Sequence, residues 1–208
     1  KIGAFEAPSV GGNSMQANLN GHAKGPVGHV IIPLPTDEEL PNAVARTLAH
    51  NPPLNVARMF AITDDMFPAA MGFVRAVFTA KGIDIKLREI IILRCAHLLN
   101  SPCEWRANTT LAKNAGVTAA EIAAVAKDGP VLGLDEAATL LCEATDELTL
   151  QDTLTDITLR KLVERYDNAI AAKYVLIISW FNLLSRFLNG TRVPPDLAGK
   201  LKGLTSPI

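Results

Sequence analysis

At 208 residues, 49% of them apolar, the chain is long enough for one sizeable core without disulfide staples. A net charge of −1 leaves no basic surface for nucleic acid or an anionic membrane, so neither partner is expected. Three cysteines without a paired spacing point to a reducing compartment, the cytoplasm.

Residues 1–35 are rich in Gly, Asn and Pro and show no sustained apolar period, so they read as an irregular arm. Its one adhesive part, Val30-Ile31-Ile32-Pro33-Leu34-Pro35, should lie against the chain's own body or a neighbouring subunit. His22 and His29 have no acidic or cysteine cluster beside them and read as solvated loop histidines, not metal ligands. Thr36 and Glu39 form a capping box that opens a helix through Leu40 to about His50, where Asn51-Pro52-Pro53 ends it. Residues 54–80 carry Val56, Met59, Phe60, Met66, Phe67, Met71, Val74 and Phe78, and read as one or two helices bent near Pro68. This stripe is core or one wall of a pocket. Gly82 stops it, and Asp84 is placed to cap the next helix.

That next helix, 85–100, is apolar nearly all round: Leu87, Ile90, Ile91, Leu93, Ala96, Leu98 and Leu99 cover most of its surface. Glu89 shares a face with Ile92, Leu93 and Ala96, where a carboxylate must find a partner or keep its proton. Ser101-Pro102-Cys103-Glu104 then reads as a capping box with proline at the first helical position. From Glu104 the helical period runs through Ala107 and Asn108 to Leu111 and Ala115, so a carboxylate and an amide share an apolar face. Glu104 is either the structural glutamate of that box or an acid or base. Cys103 lies in the first turn, where the helix dipole favours a thiolate, but the nearest histidine in sequence, His97, is two turns away on the preceding helix.

Gly116 is placed to end this second helix, and Thr118 with Glu121 opens another through a third capping box, broken at Gly129-Pro130. Asp135 starts a helix through Ala138, Leu140, Leu141, Ala144 and Leu148, on which Cys142 is a core residue. Residues 155–166 form an amphipathic helix with Ile157, Leu159, Leu162 and Val163 inside. The last helix, 168–189, is long and apolar, but Lys173, Asn182 and Arg186 interrupt it, so it reads as a buried helix of an oligomer and not a membrane span. Ser179, Asn182, Arg186 and Asn189 make one polar stripe, which should face a pocket, a subunit interface or a buried carboxylate such as Glu89 or Glu104. The whole is an all-α chain: an arm (1–35), a helical domain (36–195) and a tail (196–208).

The order Arg88-Glu89, Leu93-Arg94, Ser101-x-x-Glu104-Trp105, Leu111-Ala112 and Ala115-Gly116-Val117-Thr118 with Glu121-Ile122 resembles the carboxymuconolactone decarboxylase and alkylhydroperoxidase D superfamily. Trp180-Phe181-Asn182-Leu183-Leu184, Arg186-Phe187-Leu188-Asn189 and Val193-Pro194 resemble its last helix. The resemblance implies an alkylhydroperoxidase D-like helical fold, a homo-oligomer (trimer or hexamer) and an active site where the two central helices meet. Its hydroperoxidases carry a Cys-x-x-Cys pair and, one turn later, a histidine; here Ser101 and Glu104 fall at the cysteine positions, Asn108 at the histidine and Glu89 at the family's glutamate. Its decarboxylases act on a carboxylated lactone by protonation and loss of carbon dioxide, with no metal or organic cofactor.

The expected function is therefore a cofactor-independent lyase or isomerase acting on a small cyclic or unsaturated carboxylic acid or lactone. Glu89, Glu104 and Cys103 are the candidate catalytic residues. Asn108, Trp105, Phe181, Asn182 and Arg186 are the candidate substrate contacts. Asn108 can orient an oxygen but cannot exchange a proton as histidine would, and Arg186 either holds a substrate carboxylate or closes an internal salt bridge. Two other readings stay open: a thiol-dependent peroxide enzyme using Cys103 with Cys95 or an external thiol, and a non-catalytic binding or assembly protein.

Overall fold

In the computed structural model, which describes residues 30–49, 54–196 and 201–207, every regular element is helical. The order is α1 (Asn42–Ala49), α2 (Asn55–Ala61), a single 3₁₀ turn (Asp64–Met66), α3 (Phe67–Phe78), α4 (Ile85–Leu98), α5 (Pro102–Asn114), α6 (Ala119–Val125), α7 (Glu136–Leu150), α8 (Asp156–Arg165) and α9 (Asn168–Thr191). His22, His29 and His50 lie outside the described residues.

Most helices start where a short polar side chain can satisfy a free backbone N–H. Asp84 accepts from Leu87 N at 3.0 Å, Asp135 from Ala138 N at 2.8 Å and Asp167 from Ile170 N at 2.8 Å. Thr118 and Glu121 complete the reciprocal box, each side chain bonding the other's backbone N–H. Each such cap stabilises its helix by about 1 kcal/mol. At Thr36 only half of the expected box forms: the Thr36 N–H donates to Glu39 Oε2 at 2.8 Å. The segment after it is a turn, and α1 begins beyond Pro41, at Asn42. The bend expected near Pro68 is a break: α2 ends at Ala61, and α3 restarts with Pro68 in its first turn.

Helix α4 is the centre, packed by α5, α6, α7 and α9. It feeds two apolar clusters from opposite sides. Ile91, Ile92 and Cys95 join residues of α2, α3, α7 and α9, whereas Ile90 and Leu93 join Ala112, Val125, Ala138 and Cys142. One cation pins the second side. Arg94 is fully buried and uses all five of its N–H groups: Nε and Nη2 on Asp146 at 2.5 and 2.8 Å, Nη1 on the Val125 and Lys127 carbonyls, and Nη2 on the Gly129 carbonyl. A single side chain thus ties α4 to α7 and to the loop that follows α6.

Two sequence expectations change. In α8 only Thr158 and Leu162 are buried, because only their one face meets α7; Ile157, Leu159 and Val163 point outward at 62%, 45% and 42% exposure. Helix α9 is the one described element long and apolar enough to cross a bilayer, and half of its most apolar window is buried in the protein. Of its polar stripe, Asn182 and Asn189 turn to α7 and to the end of α4, not to the carboxylates, Asn182 donating to Thr149 Oγ1 at 2.9 Å and Asn189 to the Leu99 carbonyl at 2.9 Å, while Ser179 and Arg186 are exposed.

Replacing Arg94 by Met keeps much of the packing volume but strands Asp146 and three carbonyls. Chemical denaturation of Arg94→Met should show a loss of about 3–5 kcal/mol, the cost of breaking a buried pair from one side; a loss below about 1 kcal/mol would mean the network is dispensable.

Candidate active site

The joint between α4 and α5 is built differently from what the Ser101-x-x-Glu104 pattern suggests. Ser101 sits at the N-cap with extended backbone angles, yet its side chain makes no capping bond, and its buried hydroxyl has no partner. The reciprocal half is missing too. Glu104 turns along its own helix, where Asn108 Nδ2 donates to Glu104 Oε2 at 3.0 Å and to the Glu104 carbonyl at 2.9 Å. The expected capping box is therefore absent, because a neighbour one turn on competes for the carboxylate. Glu104 is not a helix cap.

Glu104 and Asn108 are both buried and both line a cavity of about 50 Å³. The rest of the wall is apolar: Leu54, Phe60, Met71 and Phe78 from the α2–α3 side, Trp180, Phe181 and Leu184 from α9, and Leu201 and Pro207 from the last described segment. Burial pushes the Glu104 carboxyl up to about 8; the Asn108 amide opposes that rise, and the nearby charge of Glu89 adds to it. At neutral pH Glu104 is a neutral acid beside an apolar chamber.

Glu89 is enclosed completely, and its partner is the residue next to it. Arg88 donates to Glu89 Oε1 from Nε at 3.1 Å and from Nη2 at 3.0 Å, while Oε2 has no hydrogen-bond partner. Burial pushes this carboxyl up to about 7, with Arg88 pulling the other way. Arg88 also lies over the Phe78 ring, 4.4 Å from its centroid, and donates to the carbonyls of Phe78 and Thr205 at 3.1 Å each. The site is thus a coupled pair of buried carboxyls, one held by a guanidinium and the other by an amide.

The remaining candidates separate. Phe181 is in the cavity wall, edge-on to Phe78 with ring centroids 6.2 Å apart. Trp105 packs on the second cluster, and its ring lies 6.4 Å from that of His97. Asn182 is buried against Thr149, and Arg186 is exposed and folds back on the Asn182 side chain at 2.6 Å. Neither lines the cavity. Arg186 forms no salt bridge with Glu89 or Glu104, because Arg88 already holds the first and Asn108 the second. Cys103 is buried in the first cluster, where burial pushes its thiol up to about 12. Cys95 is buried and raised as well, so neither is poised as a thiolate.

The pattern of residues singled out Arg88, Phe78 and Trp180 only as parts of longer motifs or stripes. The packing of residues 201–207 on the site had no signal at all. Adjacent helical residues do not normally face each other, so the Arg88–Glu89 pair could have been suspected only from the length of the arginine side chain.

Compared with known proteins, residues 64–147 match the model of the carboxymuconolactone decarboxylase family. No curated protein matches the chain significantly. Among solved structures, the chain is similar to the "alkylhydroperoxidase AhpD core: uncharacterized peroxidase-related protein" of Ralstonia eutropha JMP134. The two share 17% identity and a TM-score of 0.73, over 87% of this chain and 100% of that one. That likeness fixes the fold as the alkylhydroperoxidase D-like helical fold. The chain is thus similar to the carboxymuconolactone decarboxylase family over residues 64–147 and has the alkylhydroperoxidase D-like fold.

Proposed function

We propose that the protein is a cofactor-independent lyase or isomerase that transfers a proton on a small cyclic or unsaturated carboxylic acid or lactone, decarboxylation included. The observation that carries this reading is Glu104: a buried carboxyl on the wall of an apolar cavity, held near neutral acidity. A general acid works best with a pKa near the working pH. Because Asn108 donates to Oε2, that oxygen is the acceptor and the transferable proton sits on Oε1. Glu89 stands behind as the second member of the pair, its charge set by Arg88 and felt by Glu104. The match of residues 64–147 to the carboxymuconolactone decarboxylase family supports the same reaction class.

The structural relative is described as peroxidase-related, which makes thiol chemistry the second reading. Against it, Cys103 is buried with its thiol pushed up to about 12, and it is not part of the cavity wall. A thiolate nucleophile needs the opposite environment. Three free cysteines suit a reducing compartment, so we place the protein in the cytoplasm. We also infer self-association through α9, whose Leu176 and Leu183 are 52% and 54% exposed, seven residues apart on one face.

Glu104→Gln keeps shape and removes the proton. Assayed by loss of absorbance on a panel of lactone carboxylates, it should lower kcat by about 10²–10⁴, and the parent's kcat/KM should fall above pH 8; full activity in the variant would sink the assignment. The same group shapes stability. Its folded pKa is raised from 4.5 to about 8, so the folded state binds the proton more tightly, and stability falls as pH rises between those values. Urea titrations across this window should therefore show a slope that flattens in Glu104→Gln.

Cys103→Ser should retain activity, and the native protein should react with a thiol reagent only on unfolding; peroxide turnover abolished by Cys103→Ser would reverse the ranking of the two readings. Leu176→Asp combined with Leu183→Asp should lower the mass measured by light scattering, and an unchanged mass would place any interface elsewhere.

A further inference from the structure

We propose that the segment 201–207 is the outer wall of the Glu104 cavity and controls what enters it, with Leu201 and Pro207 setting the size of ligand admitted and Asn114 holding the wall in place. This rests on the reading of the cavity as a substrate site. Leu201 is buried and packs with Leu54 and Leu111, both of which line the cavity, and Pro207 lines it from the other end of the same segment. Between them the chain turns, with Leu204 N donating to the Leu201 carbonyl at 3.1 Å and Gly203 in the left-handed region at φ +79°. That turn is what carries both side chains back to one chamber.

The volume gives the wall its meaning. The cavity is partly open to solvent and its room of about 50 Å³ holds a few waters, whereas an apolar cavity that takes up benzene measures about 150 Å³. A six-membered ring therefore needs part of the wall to give way, and in this proposal Leu201 and Pro207 are the part that moves.

The attachment runs in part through two side chains of the helical body, Asn114 and Arg88. Asn114, exposed near the end of α5, donates to the Leu201 carbonyl at 3.1 Å and to the Leu204 carbonyl at 2.5 Å. Arg88 Nη2 donates to the Thr205 carbonyl at 3.1 Å. When the wall swings out, this second attachment becomes functional. The freed Nη2 is a cationic donor beside the carboxyl pair, and a ligand carboxylate can take the place of the Thr205 carbonyl. The wall would thus be exchanged for an anionic ring compound of the class proposed above.

The test uses the full chain carrying Trp105→Phe, which leaves Trp180, a cavity-wall residue, as its sole tryptophan. Acrylamide quenching of Trp180 is compared in Asn114→Ala and Leu201→Ala, with circular dichroism to confirm the fold. The quenching constant should rise roughly threefold in both as local opening becomes easier, and stopped-flow uptake of benzoate should accelerate. Unchanged quenching in folded Asn114→Ala and Leu201→Ala overturns the proposal; if one variant fails to fold, the other decides. If quenching rises but benzoate binds to neither parent nor variants, the wall stands and the carboxylic-acid reading of the cavity falls.

Discussion

A helix enclosed by protein on every side has no water with which to hydrate a charge, and α4 carries three charged residues, Arg88, Glu89 and Arg94, at such positions. Everything else in the structure answers to that constraint. Arg94 meets it completely, since five N–H groups find five acceptors and the charge is matched by Asp146. Glu89 meets it only in part: one oxygen takes two bonds from Arg88 and the other takes none. The first network is a fastening. The second is an unfinished one, and unfinished pairing is what leaves a carboxyl able to change its protonation near neutral pH.

The two carboxyls of the joint illustrate how environment divides identical groups. Glu89 is paired with a cation and walled off, while Glu104 meets only an amide and borders a cavity. Their charges repel, so they behave as one system in which adding a proton to either eases ionisation of the other. In the proposed reaction the group at the cavity does the transfer, and the one behind it sets the level at which the transfer occurs.

What could be read from the sequence was local. Caps at Asp84, Asp135 and Thr118 depend on side chains reaching a backbone three residues away, and all three form. The helical fold, the burial of α4 and the pairing of Glu104 with Asn108 on one face were legible for the same reason, as consequences of the 3.6-residue period. The failures involve competition or distance. Ser101 had the right spacing for a box, but Asn108 took the glutamate. The apolar stripe of α8 looked like a core face because periodicity says which residues share a side and nothing about how much of that side another helix will cover. Arg186 was expected near a carboxylate, and Asn182 satisfied it first, one turn away. The closure of the cavity by residues some hundred positions downstream of Glu104 leaves no periodic trace at all.

The unmade cap at Ser101 has an effect on the carboxyl it failed to bind. Without a Ser101 side-chain cap, the first turn of α5 presents the positive end of its helix dipole to the residues at its own start. Glu104 stands in that turn. In the proposed reaction the anion left on Glu104 would sit in the first turn of a helix, where the dipole favours negative charge and offsets part of the cost of burial. In that reaction an acid that is costly to ionise but not prohibitively so would be recharged between turnovers, and the helix end would favour that reversibility.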